Sequence, residues 1–161
     1  MTEREKVLRR LDALGVAYEL TEHKEVFTIE EMEKEGICDK GTVCKNFFLR
    51  DHKGKRHFLV VLDKDRQLEI QSIRGEINSS RLSFASEERL KEHLKLRPGA
   101  VGPFALLNDG EKKVELVLDA GLEGNPRLGF HPNDNTATLW ISYDDLLRCI
   151  KDTGHSFVKL K

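Results

Sequence analysis

The chain has 161 residues, of which 39% are hydrophobic and 34% charged, and its formal net charge at pH 7 is −1. This length predicts a single domain over residues 1–161 with a sizeable core, and the near-neutral charge argues against a protein that wraps nucleic-acid phosphates. No apolar run has the length of a membrane span, and no apolar signal core follows the N-terminus. We therefore expect a cytoplasmic protein with no membrane partner.

Capping signals and glycine stops predict four helices. Each follows a Ser or Thr whose side chain can accept a backbone N–H from the first turn. The predicted helices run from Thr2 to Gly15, from Thr28 to Gly36, from Ser86 to Leu96, and from Ser142 to Gly154.

Between these helices, runs rich in β-branched and aromatic residues predict strands. They cover Val43–Arg50, Arg56–Leu62, Phe104–Asn108, Val114–Asp119, Arg127–Phe130, Thr136–Ile141 and His155–Leu160. We expect the first two to form a hairpin, and the third and fourth to form another across Asp109-Gly110. Hairpins in series with helices between them predict an α+β fold, with a curved, mostly antiparallel or mixed sheet and flanking helices.

The three cysteines, Cys38, Cys44 and Cys149, are an odd number without a framework spacing. This pattern indicates reduced thiols rather than a disulfide scaffold. A zinc site built from Cys38, Cys44 and a histidine is the alternative, but the spacing resembles no tetrahedral motif. We predict no metal site and no cofactor.

Lys45 is the residue that the local pattern singles out most sharply. In a regular strand it shares a face with Val43, Phe47 and Leu49, where a cation needs a partner or a path to solvent. Snorkelling at a sheet edge is one interpretation, and an ammonium that binds a phosphate or ester oxygen in a cleft is the other. Asn46 points to the opposite face, so we expect a bulge if both residues serve one pocket.

Two loops are further candidates for the site. The loop Gly99-Ala100-Val101-Gly102-Pro103 can present backbone N–H groups to a cavity, although such a turn is often only a connection. His131 begins a polar loop and could hold a ligand hydroxyl, or it could simply lie at the shoulder of a Pro-Asn-Asp-Asn turn. Cys44 next to Lys45 raises the alternative of a thiol nucleophile, but neighbouring strand residues face opposite sides.

Four stretches in order carry a family resemblance: Val43–Leu49, Leu82–Leu90, Pro98–Asp109 and Leu128–Thr136. On these motifs the chain resembles, over nearly its whole length, the prolyl-tRNA editing family. These are the YbaK/ProX-like domains related to the insertion domain of bacterial prolyl-tRNA synthetases. The Pro-Phe-Ala-Leu-Leu-Asn-Asp segment and the Asn-rich His131 loop look most like the free-standing PrdX-type alanyl-tRNA(Pro) deacylases.

The resemblance implies hydrolysis of the ester between a wrong amino acid and the terminal adenosine of tRNA(Pro). Such domains work without a protein nucleophile, and a ribose hydroxyl of the substrate helps to activate water. By this match, Lys45 binds the phosphate or ribose of the terminal nucleotide, and the Gly99–Pro103 amides face the ester. The implied catalytic residues are Lys45, Gly102 and His131, and the implied substrate-binding residues are Phe27, Thr28, Asn46, Gly99, Ala100, Val101, Pro103, Gly129 and Asp134.

The expected partner is the acceptor end of tRNA(Pro) carrying a mischarged amino acid. Because the net charge is small, we expect weak tRNA affinity, with help from prolyl-tRNA synthetase or an elongation factor. Alanyl-tRNA(Pro) is the favoured substrate; the alternatives are cysteinyl-tRNA(Pro) and a non-catalytic module that binds aminoacyl-tRNA. Gly102 departs from related members, which commonly carry Ser or Thr before the Pro-Phe, and this leaves the amino acid open.

Overall fold

The computed structural model describes residues 1–161, which form five α-helices around one eight-stranded sheet. The helices are α1 (Glu3–Ala13), α2 (Ile29–Lys34), α3 (Ile70–Ile77), α4 (Glu87–Leu94) and α5 (Tyr143–Asp152). The strands are β1 (Glu19–Glu22), β2 (Thr42–Arg50), β3 (His57–Asp63), β4 (Ser83–Phe84), β5 (Val114–Asp119), β6 (Leu128–Phe130), β7 (Ala137–Ile141) and β8 (Phe157–Leu160).

The strand order is β1-β7-β6-β2-β3-β5-β8, and the short β4 pairs with β2. Antiparallel pairs join β1 to β7, β2 to β3, β2 to β4 and β6 to β7, whereas β2–β6, β3–β5 and β5–β8 are parallel. The sheet is therefore mixed, which confirms the predicted α+β class.

The predicted hairpin between Phe104–Asn108 and Val114–Asp119 is wrong. Residues Pro103–Asn108 form a 3₁₀ helix, and β5 lies parallel to both β3 and β8. Pro103 occupies the first helical position, where its fixed φ suits a helix. An apolar run buried on all sides has no periodicity that would distinguish a strand from a helical turn.

Helices cover both faces of the sheet. The largest core cluster joins α1, α4, α5 and the 3₁₀ helix to one face, through residues such as Leu11, Leu94, Phe104 and Leu146. Helix α3 covers the opposite face with Ile73 and Ile77. None of the helices is long and apolar enough to span a membrane.

Strand β2 has a gap along one edge. One side of β2 pairs continuously with β3 from Cys44 to Arg50. On its other side, β6 pairs only with Thr42 and Val43, and β4 pairs only with Leu49 and Arg50. The middle of β2 is therefore open between β6 and β4.

A pair of histidines lies between β3 and α4. His57 is 2% exposed, and its ring centroid is 4.0 Å from that of the half-buried His93. The Arg89 guanidinium, which can only donate, lies 3.1 Å from Nε2 of His57, so this nitrogen carries the lone pair. Burial, with His93 and Arg89 adding to it, lowers the pKa of His57 to about 4.

We expect His57 to make the protein less stable in mild acid. Between pH 6.5 and 4 the unfolded chain binds a proton at this residue and the folded chain does not, so stability falls as the pH falls through that window, by at most about 3 kcal/mol. Urea unfolding of the wild type and of His57→Phe at pH 7 and pH 4.5 measures this loss. The variant should lose clearly less stability over the same interval, and equal losses would contradict the assignment.

Candidate active site

A cavity of about 490 Å³ opens at the gap in β2. Its walls come from β2, from β4 and the start of α4, from the loop before the 3₁₀ helix, from the segment around α2, and from the loop after β6. The lining residues are Phe27, Thr28, Ile29, Met32, Cys44, Lys45, Asn46, Phe47, Phe48, Phe84, Ala85, Ser86, Glu87, Leu90, Pro98, Gly99, Val101 and His131.

Lys45 and Asn46 both line this cavity although they point to opposite faces of β2. The register of β2 against β3 is continuous, so the expected bulge is not present. The gap in β2 has the effect that a bulge would have had, because a cavity at an open strand edge is accessible to side chains on both faces of the sheet. The pocket therefore receives side chains from successive residues of one regular strand.

Lys45 is partly exposed and brings a free cation to the pocket. Its ammonium forms no ion pair with any carboxylate of the chain. An ammonium without a protein partner in a cleft is available to an anionic or carbonyl oxygen of a ligand.

The loop from Gly99 to Gly102 offers backbone donors. Gly99 has a φ of +89°, and a Cβ there would come within 2.9 Å of the Phe27 ring, so only glycine fits without strain. The N–H groups of Gly99 and Val101, which both line the cavity, donate to no acceptor in the chain. These two N–H groups are therefore free to hydrogen-bond a ligand.

His131 supplies a neutral imidazole. Its Nδ1 lies 3.0 Å from the carbonyl oxygen of Ala137, which can only accept, so Nδ1 carries the hydrogen. Burial, with a smaller contribution from His23, lowers the pKa of His131 below its ordinary value. The lone pair of Nε2, which has no partner in the chain, can accept a hydrogen bond.

The loop after His131 holds the opposite wall in place. Asn135 accepts a backbone hydrogen bond from Val26 and donates from Nδ2 to the Val26 carbonyl, at 3.2 Å and 3.0 Å. This pair fixes the segment that carries Phe27 and Thr28 into the cavity wall. Thr28 then caps α2 by accepting the N–H of Glu31.

The comparisons with known proteins bear on this arrangement. Residues 23–149 match the family model described as "Aminoacyl-tRNA editing domain". The chain belongs to the aminoacyl-tRNA editing domain family. It is 47% identical over 157 residues to the prolyl-tRNA editing protein ProX of Acetoanaerobium sticklandii, covering 98% of this chain and 96% of that one. It is 41% identical over 152 residues to the prolyl-tRNA synthetase associated domain-containing protein 1 of Bos taurus, covering 91% and 88%.

A solved structure shares the fold of this editing domain. A crystal structure described as a candidate trans-editing enzyme for prolyl tRNA synthetase superposes with a TM-score of 0.75, at 19% identity, over 100% of this chain and 98% of the other. At this identity the match shows the architecture alone.

Of the site residues predicted for the editing domain, one group meets at the cavity and another does not. The cavity brings together Phe27, Thr28, Lys45, Asn46, Gly99, Val101 and His131. The residues outside its lining are Ala100, Gly102, Pro103, Gly129 and Asp134.

Packing explains three of the residues outside the lining. Gly102 is buried with an extended backbone at a φ of −167°, and Pro103 is buried at the first position of the 3₁₀ helix. Ala100 is buried as well, at 9% exposed. The loop therefore presents Pro98, Gly99 and Val101 to the pocket and buries Ala100, Gly102 and Pro103.

The other two make contacts elsewhere. Gly129 lies under Trp140, where a Cβ would come within 2.5 Å of the ring. Asp134 accepts hydrogen bonds from Arg4 and from the backbone and hydroxyl of Thr136. Burial acts to raise the pKa of Asp134, but these hydrogen bonds outweigh it and the pKa lies below its ordinary value. Both residues brace the loop that carries His131.

Cys44 lines the pocket of the editing domain but has no thiolate to offer. Burial raises the pKa of its thiol far above the ordinary value, and Asp63 and Asp119 add to the effect. A nucleophile needs the thiolate, so the geometry gives no support to a thiol hydrolase. No cluster of three or more His, Cys, Asp or Glu side chains is placed to hold a metal ion.

Several residues of the cavity wall lie outside the predicted site, above all Phe47 and Phe84. Phe84 belongs to the two-residue strand β4, whose pairing with β2 has no local signal. A large aromatic residue two positions before the helix-capping Ser86 is the one feature of the sequence that could have indicated it.

We expect Gly99→Ala to damage the site while leaving the fold intact. The substitution strains a left-handed residue and pushes against the Phe27 ring, so both the loop and the opposite wall must shift. Turnover of the substrate proposed below should fall roughly 10-fold or more, as expected when reacting groups are misplaced. Gly75→Ala is the matched control, because its Cβ meets open space inside α3. Equal activity of the two variants would refute a role for the Gly99 conformation.

Proposed function

We propose that this chain hydrolyses the ester that joins a mischarged amino acid to the terminal ribose of tRNA(Pro). The main observation behind this proposal is that Lys45 with its free ammonium, Gly99 and Val101 with unpaired backbone N–H groups, and His131 with a neutral imidazole all line one cavity of about 490 Å³. Two relatives, a prolyl-tRNA editing protein and a prolyl-tRNA synthetase associated domain-containing protein, support the choice of tRNA(Pro).

Each group has a role in the proposed reaction. Lys45 binds a phosphate or ribose oxygen of the terminal nucleotide and anchors it. The N–H groups of Gly99 and Val101 donate to the carbonyl oxygen as negative charge develops on it. Nε2 of His131 accepts a hydrogen bond from a ribose hydroxyl or from the attacking water, and so fixes its orientation.

The chemistry needs no protein nucleophile. The water oxygen forms a bond to the ester carbon as the water gives up a proton. The bond from that carbon to the ribose oxygen breaks, and the ribose oxygen takes up the proton that the water released. The neighbouring ribose hydroxyl assists by orienting the water. An oriented donor to an oxyanion contributes roughly 10²- to 10³-fold in rate, and positioning adds to it, which suffices for an already activated ester.

We propose alanyl-tRNA(Pro) as the main substrate, with cysteinyl-tRNA(Pro) as the alternative. A pocket that accepts a methyl group can exclude the larger prolyl ring by steric clash, which protects the correctly charged tRNA. Gly102 provides no side-chain hydroxyl near this loop, so selection rests on size.

The proposed partner is the acceptor end of the tRNA. Helix α2 brings the acidic residues Glu30, Glu31 and Glu33 near one side of the pocket, and the net charge of the chain is −1. Phosphate attraction is therefore limited to the surroundings of Lys45. We propose that a synthetase or elongation factor bound to the same tRNA raises its effective concentration.

Deacylation of alanyl-, cysteinyl- and prolyl-tRNA(Pro), each against a no-protein control, tests this proposal. We expect rapid loss of the alanyl ester, slower loss of the cysteinyl ester and no loss of the prolyl ester above the spontaneous rate. If only the cysteinyl ester is lost, the substrate is cysteinyl-tRNA(Pro). If the protein binds the aminoacyl-tRNAs saturably but none of the three esters is lost, the protein is a binding module and not an enzyme.

A further inference from the structure

Two of the four exposed large hydrophobic residues lie in the wall of the active-site cavity. Phe27 and Phe84 are both 60% exposed, whereas Met1 and Val158 lie away from the cavity. Phe27 packs over Gly99, which gives it a structural task. Phe84 covers no glycine, and its 60% exposure leaves much of its ring open to a ligand.

Strand pairing places Phe84 on the same face of the sheet as Lys45. Phe84 lies directly opposite Leu49 in the antiparallel pair of β4 and β2, so the two side chains share a face. Lys45 and Phe47 share it too, since alternate residues of a strand point the same way and lie roughly 7 Å apart. The face thus presents, in order along β2, a cation and then two aromatic rings.

Phe47 supports Phe84 from the side. The two ring centroids are 6.1 Å apart and the rings are inclined at 50°, a tilted contact that leaves a face of Phe84 open. The neighbours Ser83, Ser86 and Glu87 are polar and exposed. A single open ring in polar surroundings is too small for a protein interface, but it matches the area of one flat ring of a ligand.

We propose that Phe84 is the stacking platform for the terminal nucleobase of the RNA strand whose ester is cleaved. The identity of the ligand as an RNA end rests on the proposed function. Lys45 and Phe84 line the same cavity. Proteins hold single-stranded nucleic acids with this combination, because an aromatic ring stacks a base while a cation in the same groove binds the phosphate or sugar. The cavity of about 490 Å³ exceeds what an alanyl ester fills, and it lies in the range of pockets that take a whole nucleoside.

Binding of a CCA trinucleotide with 2-aminopurine as its terminal base tests the platform without any hydrolysis. Stacking quenches the fluorescence of this base, so the wild type and Phe84→Trp should quench it on binding. Phe84→Ala should bind roughly 5- to 150-fold more weakly, the range for removing one stacking partner. Val158→Ala, which trims an exposed residue on β8 far along the sheet, should bind like the wild type. Unchanged affinity of Phe84→Ala would overturn the proposal.

Two small esters separate stacking from a structural effect. With 3′-O-alanyladenosine, Phe84→Ala should raise KM and leave kcat within about twofold, since a ground-state contact is lost. With the alanyl ester of methyl riboside, which has no base, wild type and variant should behave alike. An equal loss on both esters, or a change of oligomeric state with normal trinucleotide binding, would overturn the platform. If the wild type quenches the base on binding but cleaves neither ester, the stacking role of Phe84 is supported and the proposed hydrolysis is contradicted.

Discussion

Lys45→Met should lower kcat/KM for alanyl-tRNA(Pro) by roughly 10²-fold, because the ammonium that anchors the terminal nucleotide, and so positions its ester, is lost. Lys45 brings a cation without a protein partner to the cavity wall, so no other residue compensates for its loss. Methionine keeps most of the length and volume of lysine, and the residue is partly exposed, so the free energy of unfolding should stay within about 0.5 kcal/mol of the wild type.

The control is Lys151→Met, which removes a lysine that is exposed on α5. This variant loses the same formal charge far from the pocket and should keep its full turnover. Lys45→Arg should retain part of the activity, because the charge remains but the planar guanidinium is bulkier than an ammonium. Full activity in Lys45→Met would remove Lys45 from the mechanism.

The salt dependence of binding identifies which oxygen Lys45 contacts. If Lys45 neutralises a phosphate of the single-stranded end, its loss should reduce the slope of log K against log salt by about 0.7. If Lys45 contacts a ribose or ester oxygen, the slope should stay the same while affinity or turnover falls. The comparison needs only nitrocellulose binding of the two proteins at several salt concentrations.

Local signals in the sequence were sufficient to predict four of the five α-helices. The hydroxyls of Thr2, Thr28, Ser86 and Ser142 each accept the backbone N–H three residues ahead, as the capping pattern indicates. Helix α3 begins at Ile70, its N-cap residue Glu69 makes no side-chain cap, and it contains Gly75, so neither the capping rule nor the glycine stop predicts it. Strand β1 was not predicted either, because it has only four residues and its partner β7 lies near the other end of the chain.

The candidate site likewise has one part that the sequence predicts and one part that it does not. Lys45, the Gly99 loop and His131 come from family motifs in the sequence, and the structure gathers them at one cavity. The reason that they meet is the gap in β2, which depends on where β4 and β6 stop pairing. No spacing in the sequence encodes that gap, and for the same reason Phe84 could not be placed before its partner Leu49 was known.

The second large effect concerns stability. Asp109→Ala should lower the free energy of unfolding by about 3–5 kcal/mol, because three donors lose their acceptor and each unsatisfied donor costs about 1–3 kcal/mol. The Asp109 carboxylate accepts from Nε2 of His155 at 2.9 Å and from the backbone N–H groups of Lys113 and Val114. The side chains of Asp109 and His155 are only 5% and 2% exposed, so water cannot replace the lost acceptor.

His155 is held from both sides. Its Nδ1 lies 2.8 Å from the Thr153 hydroxyl, which donates to the carbonyl of Ile150, and its Nε2 lies 2.9 Å from the Asp109 carboxylate. Together these residues tie the end of the 3₁₀ helix to β5 and to the turn between α5 and β8.

The pH dependence follows from the carboxylate. Burial acts to raise the pKa of Asp109, but the hydrogen bonds from His155, Val114 and Lys113 outweigh it, so the pKa lies below its ordinary value. The stabilisation is therefore complete above the unfolded pKa of about 4 and is lost as the pH falls through the folded value. The difference between wild type and Asp109→Ala in urea unfolding should be largest near neutral pH and should shrink below pH ~4.

Asp39→Ala, at an exposed carboxylate, is the control and should lower the free energy of unfolding by less than about 0.5 kcal/mol. A loss of under about 1 kcal/mol for Asp109→Ala at pH 7 would mean that the buried pair does not hold these elements together.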